Sequence, residues 1–257
     1  QILMNKVIDI AIQAGELIIK KMHTGFAIHH KGAIDLVTDV DQAAERFITK
    51  ELTLNFPKVA ILGEEGGFEG SKDSESMWVI DPLDGTTNFA HGNPRFCVSI
   101  ALVENNKSIL GIVYDPVNRD IFTAQLGKGA RLNGKPIHTS QTNELKESLF
   151  VTGFPYDAVA RRENVPIYGR VMEATQGVRV TGSAALDLCY VAAGRFEGYW
   201  ERTLNAWDIA AGALLVAEAG GRVSNYGGGE LNLFQGEVLA TNGHMHHDLM
   251  ELIHKGR

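Results

Sequence analysis

The feature that most constrains the fold is a change of pattern near residue 145. Between residues 97 and 137, short apolar runs alternate with tight turns, which is typical of an antiparallel strand meander. After about residue 148, strand-like runs alternate with segments of helical periodicity, which is typical of α/β folds. We therefore expect an α+β half over residues 1–145 and an α/β half over residues 146–257, joined in one compact unit.

The segments ahead of the meander predict two helices and two short strands. Apolar residues at helical spacing predict an amphipathic helix over residues 6–22. Thr38, with Asp41 three residues later, resembles a capping box and predicts the start of a second helix. Apolar runs over residues 59–62 and 77–80 predict strands, and acidic residues follow each of them. Glycine makes up 28 of the 257 residues, often in short pairs, which predicts tight junctions between elements.

Composition and charge exclude several classes of protein. Hydrophobic residues make up 44% and charged residues 21% of the chain, so we expect a buried core rather than disorder. The net charge of −7 argues against a basic nucleic-acid surface, and the lack of a long apolar run argues against a membrane span. Cys97 and Cys189 lie in apolar stretches without metal-ligand spacing, which is typical of reduced thiols in a cytoplasmic protein. The first residues lack the charged-then-apolar pattern of a secretory signal, so we expect no leader.

Two aspartates follow the strand predicted over residues 77–80. The strand delivers Asp81 to its carboxyl end, and Pro82 favours an extended backbone at Asp81. Gly85 then permits a tight turn, and residues 86–88 can open a helix. This places Asp81 and Asp84 beside the free N–H groups of a helix start, where a phosphate group can bind. A divalent cation would relieve the repulsion between the two carboxylates, so the pattern predicts a joint metal and phosphate site.

Two other acidic positions are compatible with the same site. Glu64 and Glu65 follow an apolar strand at its carboxyl end, the edge where open α/β sheets bind their ligands. Asp208 lies in the first turn of a helix predicted to begin at Trp207. Taken alone, the first pair could be an exposed loop and Asp208 a helix cap. Together these positions predict a Mg²⁺ site, with room for more than one ion, formed by Glu64, Asp81, Asp84 and Asp208.

Three separated blocks of the sequence carry a resemblance to one known family. The blocks are Gly63–Glu65, Asp81–Phe89 and Trp207–Gly212, with shorter matches at Asp35–Thr38, Gly182–Ala185 and Glu218–Gly221. In order and spacing along nearly the whole chain, they resemble the inositol monophosphatase family of Mg²⁺-dependent, lithium-sensitive sugar and polyol phosphatases. The resemblance implies a layered α-β-α-β-α sandwich of the inositol monophosphatase and fructose-1,6-bisphosphatase type. It also implies a homodimer and direct attack on phosphorus by a metal-activated water.

The resemblance implies metal-binding roles for particular residues. The first Mg²⁺ would be held by Glu64, Asp81 and the main-chain carbonyl of Leu83. The second Mg²⁺ would be held by Asp81, Asp84 and Asp208. A third, looser ion would lie near Glu64 and Glu65, and Lys31 matches a lysine of the family's mobile loop.

The resemblance also implies catalytic and substrate-binding residues. The catalytic set would be Glu64, Thr86, Asp41 and Asp81. Thr86, with Glu64 or Asp41, would orient and deprotonate the water, and the N–H groups of Gly85 and Thr86 would bind phosphate oxygens. The implied substrate contacts are Glu64, Leu83, Asp84, Gly85, Thr86, Gly182, Ser183, Ala184, Glu201 and Asp208.

The sequence leaves several functions open. The resemblance favours hydrolysis of myo-inositol 1-phosphate, and the same chemistry could act on fructose 1,6-bisphosphate, histidinol phosphate or a nucleotide phosphate. A haloacid-dehalogenase-type phosphatase, which forms an aspartyl-phosphate, is disfavoured because Asp81 and Asp84 are three residues apart with Pro82 between them. A regulatory or binding protein that retained the fold is a further alternative, although the complete acidic set favours catalysis. A small phosphate ester is therefore the expected partner, with neither nucleic acid nor membrane.

Overall fold

The computed structural model describes residues 2–30, 36–71 and 74–255. The helices are α1 (Ile2–Thr24), α2 (Asp39–Asn55), α3 (Thr86–Ala90), α4 (Ala158–Ala174), α5 (Ala184–Ala192), α6 (Ala206–Glu218) and α7 (His246–His254). The strands are β1 (Ile28–His30), β2 (Leu36–Thr38), β3 (Ala60–Gly63), β4 (Gly67–Glu69), β5 (Ser76–Asp84), β6 (Cys97–Glu104), β7 (Lys107–Asp115), β8 (Asp120–Gln125), β9 (Ala130–Leu132), β10 (Lys135–Pro136), β11 (Leu149–Thr152), β12 (Gly177–Val180), β13 (Gly198–Arg202), β14 (Arg222–Ser224) and β15 (Glu237–Thr241). Lys31 and Asp35, which the family resemblance includes, lie outside the described residues. Within the described ranges, no helix combines the length and apolar character that crossing a membrane requires.

The elements stack in five layers in which helices alternate with sheets. The first sheet has the strand order β10-β9-β8-β7-β6-β5-β3-β4, and the second has the order β12-β11-β13-β15-β14. Helices α1 and α2 pack on the first sheet, α5 and α6 lie between the sheets, and α4 and α7 pack on the second sheet. The expected α-β-α-β-α sandwich is therefore confirmed. The boundary predicted near residue 145 falls between the two sheets, while the division into two halves stays a prediction.

The first helix layer, α1 and α2, forms because both helices are apolar on one face. The buried residues of α1 include Val7, Ile10, Ala11, Ala14 and Ile18, and those of α2 include Val40, Ala44, Ile48 and Leu52. The capping box predicted at Thr38 is confirmed, because Thr38 Oγ1 accepts from Val40 N at 3.2 Å and Asp41 Oδ2 accepts from Thr38 N at 2.8 Å. Both helices pack against a cluster that includes Trp78 and Ile80 of β5. The strand that leads into Asp81 is therefore anchored by its apolar side chains.

The central helix layer, α5 and α6, is covered by both sheets and is correspondingly apolar. Leu188 of α5 and Leu215 of α6 belong to one buried cluster with residues from both sheets. At Gly111 of β7, an added Cβ would lie 2.9 Å from the carbonyl oxygen of Ala211 in α6. Glycine at this position lets the backbone of α6, the helix that carries Asp208, lie directly against the first sheet.

Replacing Gly111 with alanine is expected to lower the free energy of unfolding by about 1–3 kcal/mol, because the new Cβ meets backbone atoms that cannot rotate away. Gly169→Ala in α4 is the matched control, since a Cβ added there meets no atom within 4 Å. This control should leave stability unchanged or raise it by up to about 1 kcal/mol. Urea unfolding measures the free energy of unfolding of both variants. Equal values for Gly111→Ala and Gly169→Ala would contradict the close approach of α6 to β7.

Two details of the strands differ from the sequence predictions. β5 does not end at Asp81 and Pro82, as the sequence predicts, but runs through to Asp84, which pairs with Cys97 of β6. Pro82 is accommodated within the strand because a register shift between Asp81 and Asp84 interrupts the regular pairing there. β3 pairs in parallel with β5, so the first sheet is mixed rather than purely antiparallel. The second sheet is mixed as well, since β15 runs antiparallel to β13 and β14. Strand direction depends on which elements become neighbours, and the periodicity of a single segment does not encode that.

Candidate active site

A cavity of about 330 Å³ opens where the two sheets and the central helix layer converge. The predicted metal ligands on its wall are Glu64, Asp81, Leu83, Asp84 and Asp208. The predicted substrate contacts on the same wall are Gly85, Thr86, Gly182, Ser183, Ala184 and Glu201. A larger groove of about 620 Å³ runs along α2, but its wall contains none of these residues. Chemistry rather than volume therefore identifies the smaller cavity as the candidate site.

Three aspartates form an acidic cluster in this cavity. Carboxylate oxygens of Asp81, Asp84 and Asp208 lie within 4.8 Å of one another. Burial raises the pKa of Asp81 well above its usual value, and the negative charges of Glu64, Asp84 and Asp208 raise it further. Burial also raises the pKa of Asp84, and burial together with the charge of Asp84 raises that of Asp208. Without a cation, the ionised cluster is therefore electrostatically unfavourable.

The backbone of β5 explains how Asp81 and Asp84 reach the same cavity. In a regular strand, residues three apart point to opposite faces of the sheet. Asp81 pairs with Ser99 and Asp84 pairs with Cys97, so three steps along β5 oppose two steps along β6. This is the signature of a bulge, and the N–H of Leu83 donates to Asp81 Oδ1 at 3.0 Å within it. The bulge therefore turns both carboxylates toward the cavity.

Asp84 is held by the start of α5. Its Oδ2 accepts hydrogen bonds from Ser183 Oγ and from Ala185 N, both at 2.7 Å. Ser183 is also the N-cap residue of α5, so one residue caps the helix and orients the carboxylate. These hydrogen bonds oppose the effect of burial on the pKa of Asp84. The cluster is thus connected to the central helix layer.

Asp208 takes part in a helix cap and in the acidic cluster at the same time. Its Oδ2 accepts a hydrogen bond from Asn205 N at 2.6 Å, which forms a capping box at the start of α6. An oxygen of the same carboxylate lies within 4.8 Å of Asp81 and Asp84. The two interpretations that the sequence left open for this residue are therefore compatible with each other.

The acidic cluster has the donor set that a hard divalent cation requires. Mg²⁺ and Ca²⁺ bind carboxylate and carbonyl oxygens, and the cluster supplies three carboxylates from two separate elements, β5 and α6. In the described part of the chain, no lysine or arginine forms an ion pair with Asp81, Asp84 or Asp208. A bound metal ion would supply the missing positive charge, so these residues fit a metal site.

Thr86 and Asp41 form a hydrogen-bonded pair that connects α3 to α2. Thr86 Oγ1 donates toward Asp41 Oδ1 at 2.8 Å and toward the carbonyl oxygen of Leu83 at 3.1 Å. Asp41 Oδ2 accepts hydrogen bonds from the N–H and the hydroxyl of Thr38. Thr86 lines the cavity, whereas Asp41 is buried behind it. Asp41 therefore reaches the cavity through the Thr86 hydroxyl.

Glu201 and Asp187 add two more buried carboxyl groups to the cavity wall. Burial raises the pKa of Glu201 to about 8, and the hydrogen bond from the Tyr199 hydroxyl partly opposes this shift. Burial raises the pKa of Asp187 to about 7, although Arg95 donates a hydrogen bond to it at 3.0 Å. Both groups therefore change protonation near neutral pH, and each can donate or accept a hydrogen bond there.

Among the cavity-wall residues that the predicted sites did not include, Asp187, Tyr156 and Asn88 have polar side chains with informative contacts. Asp187 lies within the apolar periodicity of α5 and carries no local signal. Tyr156 Oη lies 3.0 Å from Thr87 Oγ1, which connects the loop after β11 to the start of α3. Asn88 donates from Nδ2 to two backbone carbonyls of other segments, each at 2.8 Å. Asn88 belongs to the aspartate motif and was detectable there, whereas the other two depend on tertiary contacts.

The chain is similar to known proteins over nearly its whole length. The sequence profile of the Inositol monophosphatase family matches residues 3–256. The Inositol-1-monophosphatase of Synechocystis sp. is 48% identical over 228 residues, which cover 88% of this chain and 79% of that protein. The Nus factor SuhB of Pseudomonas aeruginosa is 44% identical over 249 residues, covering 94% of this chain and 92% of that protein. The crystal structure of extragenic suppressor protein suhB from Bartonella henselae matches with a TM-score of 0.96 at 37% identity, covering 100% of both chains. The chain therefore belongs to the inositol monophosphatase family and is a phosphatase.

Proposed function

We propose that this phosphatase hydrolyses small polyol phosphate monoesters in a Mg²⁺-dependent reaction, with myo-inositol 1-phosphate as the preferred substrate. The observation that carries this proposal is the acidic cluster of Asp81, Asp84 and Asp208 beside the start of α3. The family supports the phosphatase chemistry, the acidic cluster supports the metal, and the polar cavity wall supports a substrate with several hydroxyl groups.

The metal-binding residues in this proposal come from three separate segments of the chain, the turn after β3, strand β5 and helix α6. One Mg²⁺ would be held by Glu64, Asp81 and the carbonyl of Leu83, and a second by Asp81, Asp84 and Asp208. A third, looser ion would lie near Glu64 and Glu65. Bound Mg²⁺ supplies Lewis acidity, which lowers the pKa of water and neutralises charge on the phosphate and the leaving oxygen. The upward pKa shifts of the three aspartates support this role, because burial makes their ionised forms unfavourable and a bound cation would favour those forms.

The Thr86–Asp41 pair is proposed to orient and deprotonate the attacking water. Because the Thr86 hydroxyl donates its hydrogen toward Asp41, a lone pair on Thr86 Oγ1 can accept a hydrogen bond from water. The proton of the water can then pass to Thr86 Oγ1 while the hydroxyl proton moves to Asp41 Oδ1. Glu64, which lines the same cavity, is the alternative proton acceptor.

The backbone at Gly85 and Thr86 is proposed to bind the phosphate oxygens. The first N–H groups of a helix have no partner within the helix and favour anions. Gly85 has a φ of 101°, and an added Cβ would lie 2.8 Å from the carbonyl oxygen of Arg95. Glycine is therefore needed to present these N–H groups in this conformation.

Further groups of the cavity wall are proposed to bind the hydroxyl groups of the polyol. The contributing groups would be the side chains of Asp84, Glu201 and Asp208 and the backbone of Gly182, Ser183 and Ala184. Near neutral pH, Glu201 with its pKa of about 8 can donate a hydrogen bond as well as accept one. A volume of about 330 Å³ is sufficient for a compact polyol monophosphate.

A panel of phosphate-release assays tests the proposed function. The panel contains myo-inositol 1-phosphate, fructose 1,6-bisphosphate, histidinol phosphate and a nucleoside monophosphate, each with Mg²⁺ and with a chelator. We expect the highest kcat/KM for inositol 1-phosphate and no turnover in chelator. Faster turnover of another ester would overturn the substrate assignment, and undiminished turnover in chelator would overturn the metal dependence.

Thr86→Val is expected to lower kcat by about 100-fold or more while changing KM little, because the isosteric side chain cannot transfer a proton. Thr123→Val is the matched control, since Thr123 is a buried threonine of β8 outside the cavity. Steady-state kinetics with inositol 1-phosphate measure both variants. Equal kcat values for Thr86→Val and the wild type would exclude the hydroxyl from the proton path.

A second function is favoured by the similarity to a Nus factor SuhB. A regulatory role of this kind is testable with Asp84→Asn, which removes a proposed metal ligand. Restoration of function by this inactive variant in a Pseudomonas aeruginosa strain lacking its own SuhB would support the regulatory role, and failure would favour catalysis.

The homodimer, the inhibition by Li⁺ and the cytoplasmic location stay predictions. Sedimentation equilibrium tests the homodimer, LiCl titration tests the inhibition, and cell fractionation tests the location.

A further inference from the structure

Glu45 is a buried carboxylate that has no part in the reaction proposed above. It lies in α2 and is 5% exposed. Its Oε2 accepts a hydrogen bond from the backbone N–H of Glu65 at 2.9 Å, and its Oε1 accepts one from the N–H of Gly66. Both donors belong to the turn between β3 and β4, which also carries Glu64. One side chain of the first helix layer thus holds this turn by two backbone hydrogen bonds.

The turn is shaped around the Glu45 carboxylate. A Cβ added at Gly63 would lie 2.6 Å from Glu45 Oε1, and one added at Gly66 would lie 2.9 Å from the same oxygen. Neither glycine has a positive φ, so backbone conformation does not explain why they are glycines. The space that a side chain would occupy is filled by the carboxylate. The glycines on both sides of Glu64 and Glu65 are therefore explained by close approach to Glu45.

Glu64 lies between the two points where the turn contacts Glu45. Gly63 precedes it and Glu65 follows it, so its backbone is held from both sides. Its side chain lines the cavity and lies close enough to Asp81 for its charge to affect that residue. Charge-assisted hydrogen bonds to a carboxylate are stronger than neutral ones. The two hydrogen bonds from the turn to Glu45 therefore constrain the direction in which the Glu64 side chain points.

We propose that Glu45 is a positioning residue for Glu64 and thereby sets the affinity of the site for Mg²⁺, without touching the ion or the substrate. This role rests on the proposed metal-dependent function. Groups that orient metal ligands typically change metal affinity by about 10–100-fold when they are removed. The effect should therefore appear in metal binding and in the Mg²⁺ concentration needed for activity, more than in kcat at saturating Mg²⁺.

Glu45→Gln and Glu197→Gln form a matched pair of variants. Glutamine keeps the volume of glutamate but offers one acceptor oxygen, so one of the two N–H groups held by Glu45 would face an amide NH₂ group. Glu197 is 7% exposed and its Oε2 accepts a hydrogen bond from Leu149 N at 2.6 Å, but it directly precedes β13 of the second sheet and lies outside the cavity. Each substitution removes a buried carboxylate that binds backbone N–H.

Calorimetric titration of the metal-free proteins with MgCl₂, alongside Mg²⁺-dependent kinetics, measures the effect. Glu45→Gln should weaken Mg²⁺ binding by about tenfold or more and raise the half-activating Mg²⁺ concentration in proportion. Its kcat at saturating Mg²⁺ should stay within about threefold of the wild type, because the reacting groups are unchanged. Glu197→Gln should lower the melting temperature and leave both metal readouts unchanged.

Wild-type Mg²⁺ affinity in Glu45→Gln would overturn the positioning role, and so would an equal loss of affinity in Glu197→Gln. Should Glu45→Gln fail to fold, Gly66→Ala provides a second variant, because its Cβ would displace Glu45 Oε1 and should weaken Mg²⁺ binding in the same way. Unchanged binding in Gly66→Ala would then overturn the role. A wild-type protein that binds no Mg²⁺ would instead refute the proposed function itself, so the two failures are distinguishable.

Discussion

Asp81→Asn and Asp208→Asn are each expected to lower kcat for phosphate release by several orders of magnitude while the fold stays intact. Each change removes one negative charge from a cluster whose oxygens lie within 4.8 Å of one another. An amide is a weaker ligand for Mg²⁺ than a carboxylate, so the cation is held less firmly at the reacting phosphate. The loss is greatest in the transition state, where charge develops on the attacking and leaving oxygens.

The stability of these two variants should move in the opposite direction to their activity. Burial and mutual repulsion raise the pKa values of Asp81 and Asp208, so replacing either carboxylate should preserve or raise the melting temperature without metal. Asp115→Asn is the control, since Asp115 is buried outside the cavity and accepts hydrogen bonds from the N–H groups of Val117 and Asn118. It should lower the melting temperature and leave kcat within about threefold of the wild type.

Steady-state kinetics and thermal unfolding of the three variants check these expectations together. Near-normal Mg²⁺-dependent turnover by Asp81→Asn or Asp208→Asn would contradict the assignment of the cluster as the metal site. A phosphoenzyme trapped at Asp81 would favour the haloacid-dehalogenase-type mechanism over direct attack by water.

The metal-free protein is expected to lose stability as the pH rises from about 6.5 to about 9, above the range in which the pKa of His246, lowered by burial to about 4, has the opposite effect. Burial raises the pKa of Glu201 from 4.5 to about 8 and that of Asp187 from 3.8 to about 7. Between the lower and the higher values, the folded protein binds more protons than the unfolded protein. The stability from these groups is therefore fully present below the unfolded-state pKa and is lost as the pH rises through the folded-state pKa. The acidic cluster acts in the same direction, since the pKa values of its three aspartates are also raised.

Thermal unfolding between pH 6.5 and pH 9, in chelator and in Mg²⁺, measures this dependence. In chelator, the free energy of unfolding should fall by several kcal/mol across the range, which corresponds to a fall in Tm on the order of ten degrees. Mg²⁺ should restore the part of the lost stability that comes from ionisation of the acidic cluster, because a bound cation favours ionised carboxylates. A Tm that is independent of pH in chelator would contradict the burial of these carboxyl groups. A pH dependence that Mg²⁺ leaves unchanged would contradict metal binding by the cluster.

The parts of the site that depend on a few consecutive residues were predictable from the sequence. The spacing of Thr38 and Asp41 predicted a capping box, and the hydrogen bonds between them form it. The order of Asp81, Asp84 and Gly85 predicted acids beside a helix start, and the structure has α3 begin directly after Gly85. In both cases the determining contacts lie within about one turn of the chain, so the local pattern contains the necessary information.

The parts that depend on tertiary contacts were not predictable in this way. The bulge in β5 requires β6 as a partner, and the periodicity of β5 alone contains no sign of it. Glu45 contacts a turn 20 residues further along the chain, although in the sequence it is one acidic residue in an amphipathic helix. Glu201 has no local motif, and its place on the cavity wall was expected only from the family resemblance. Each of these features is determined by which segments pack against each other.

The central claim is that Asp81, Asp84 and Asp208, together with Glu64, bind divalent cations in one cavity. Mn²⁺ prefers the same oxygen ligands as Mg²⁺ and scatters anomalously, so crystals grown with Mn²⁺ test the claim most directly. We expect anomalous difference peaks within bonding distance of the carboxylate oxygens of Asp81, Asp84 and Asp208. A cavity without such peaks in crystals where Mn²⁺ binds elsewhere on the protein, or binds nowhere, would contradict the claim.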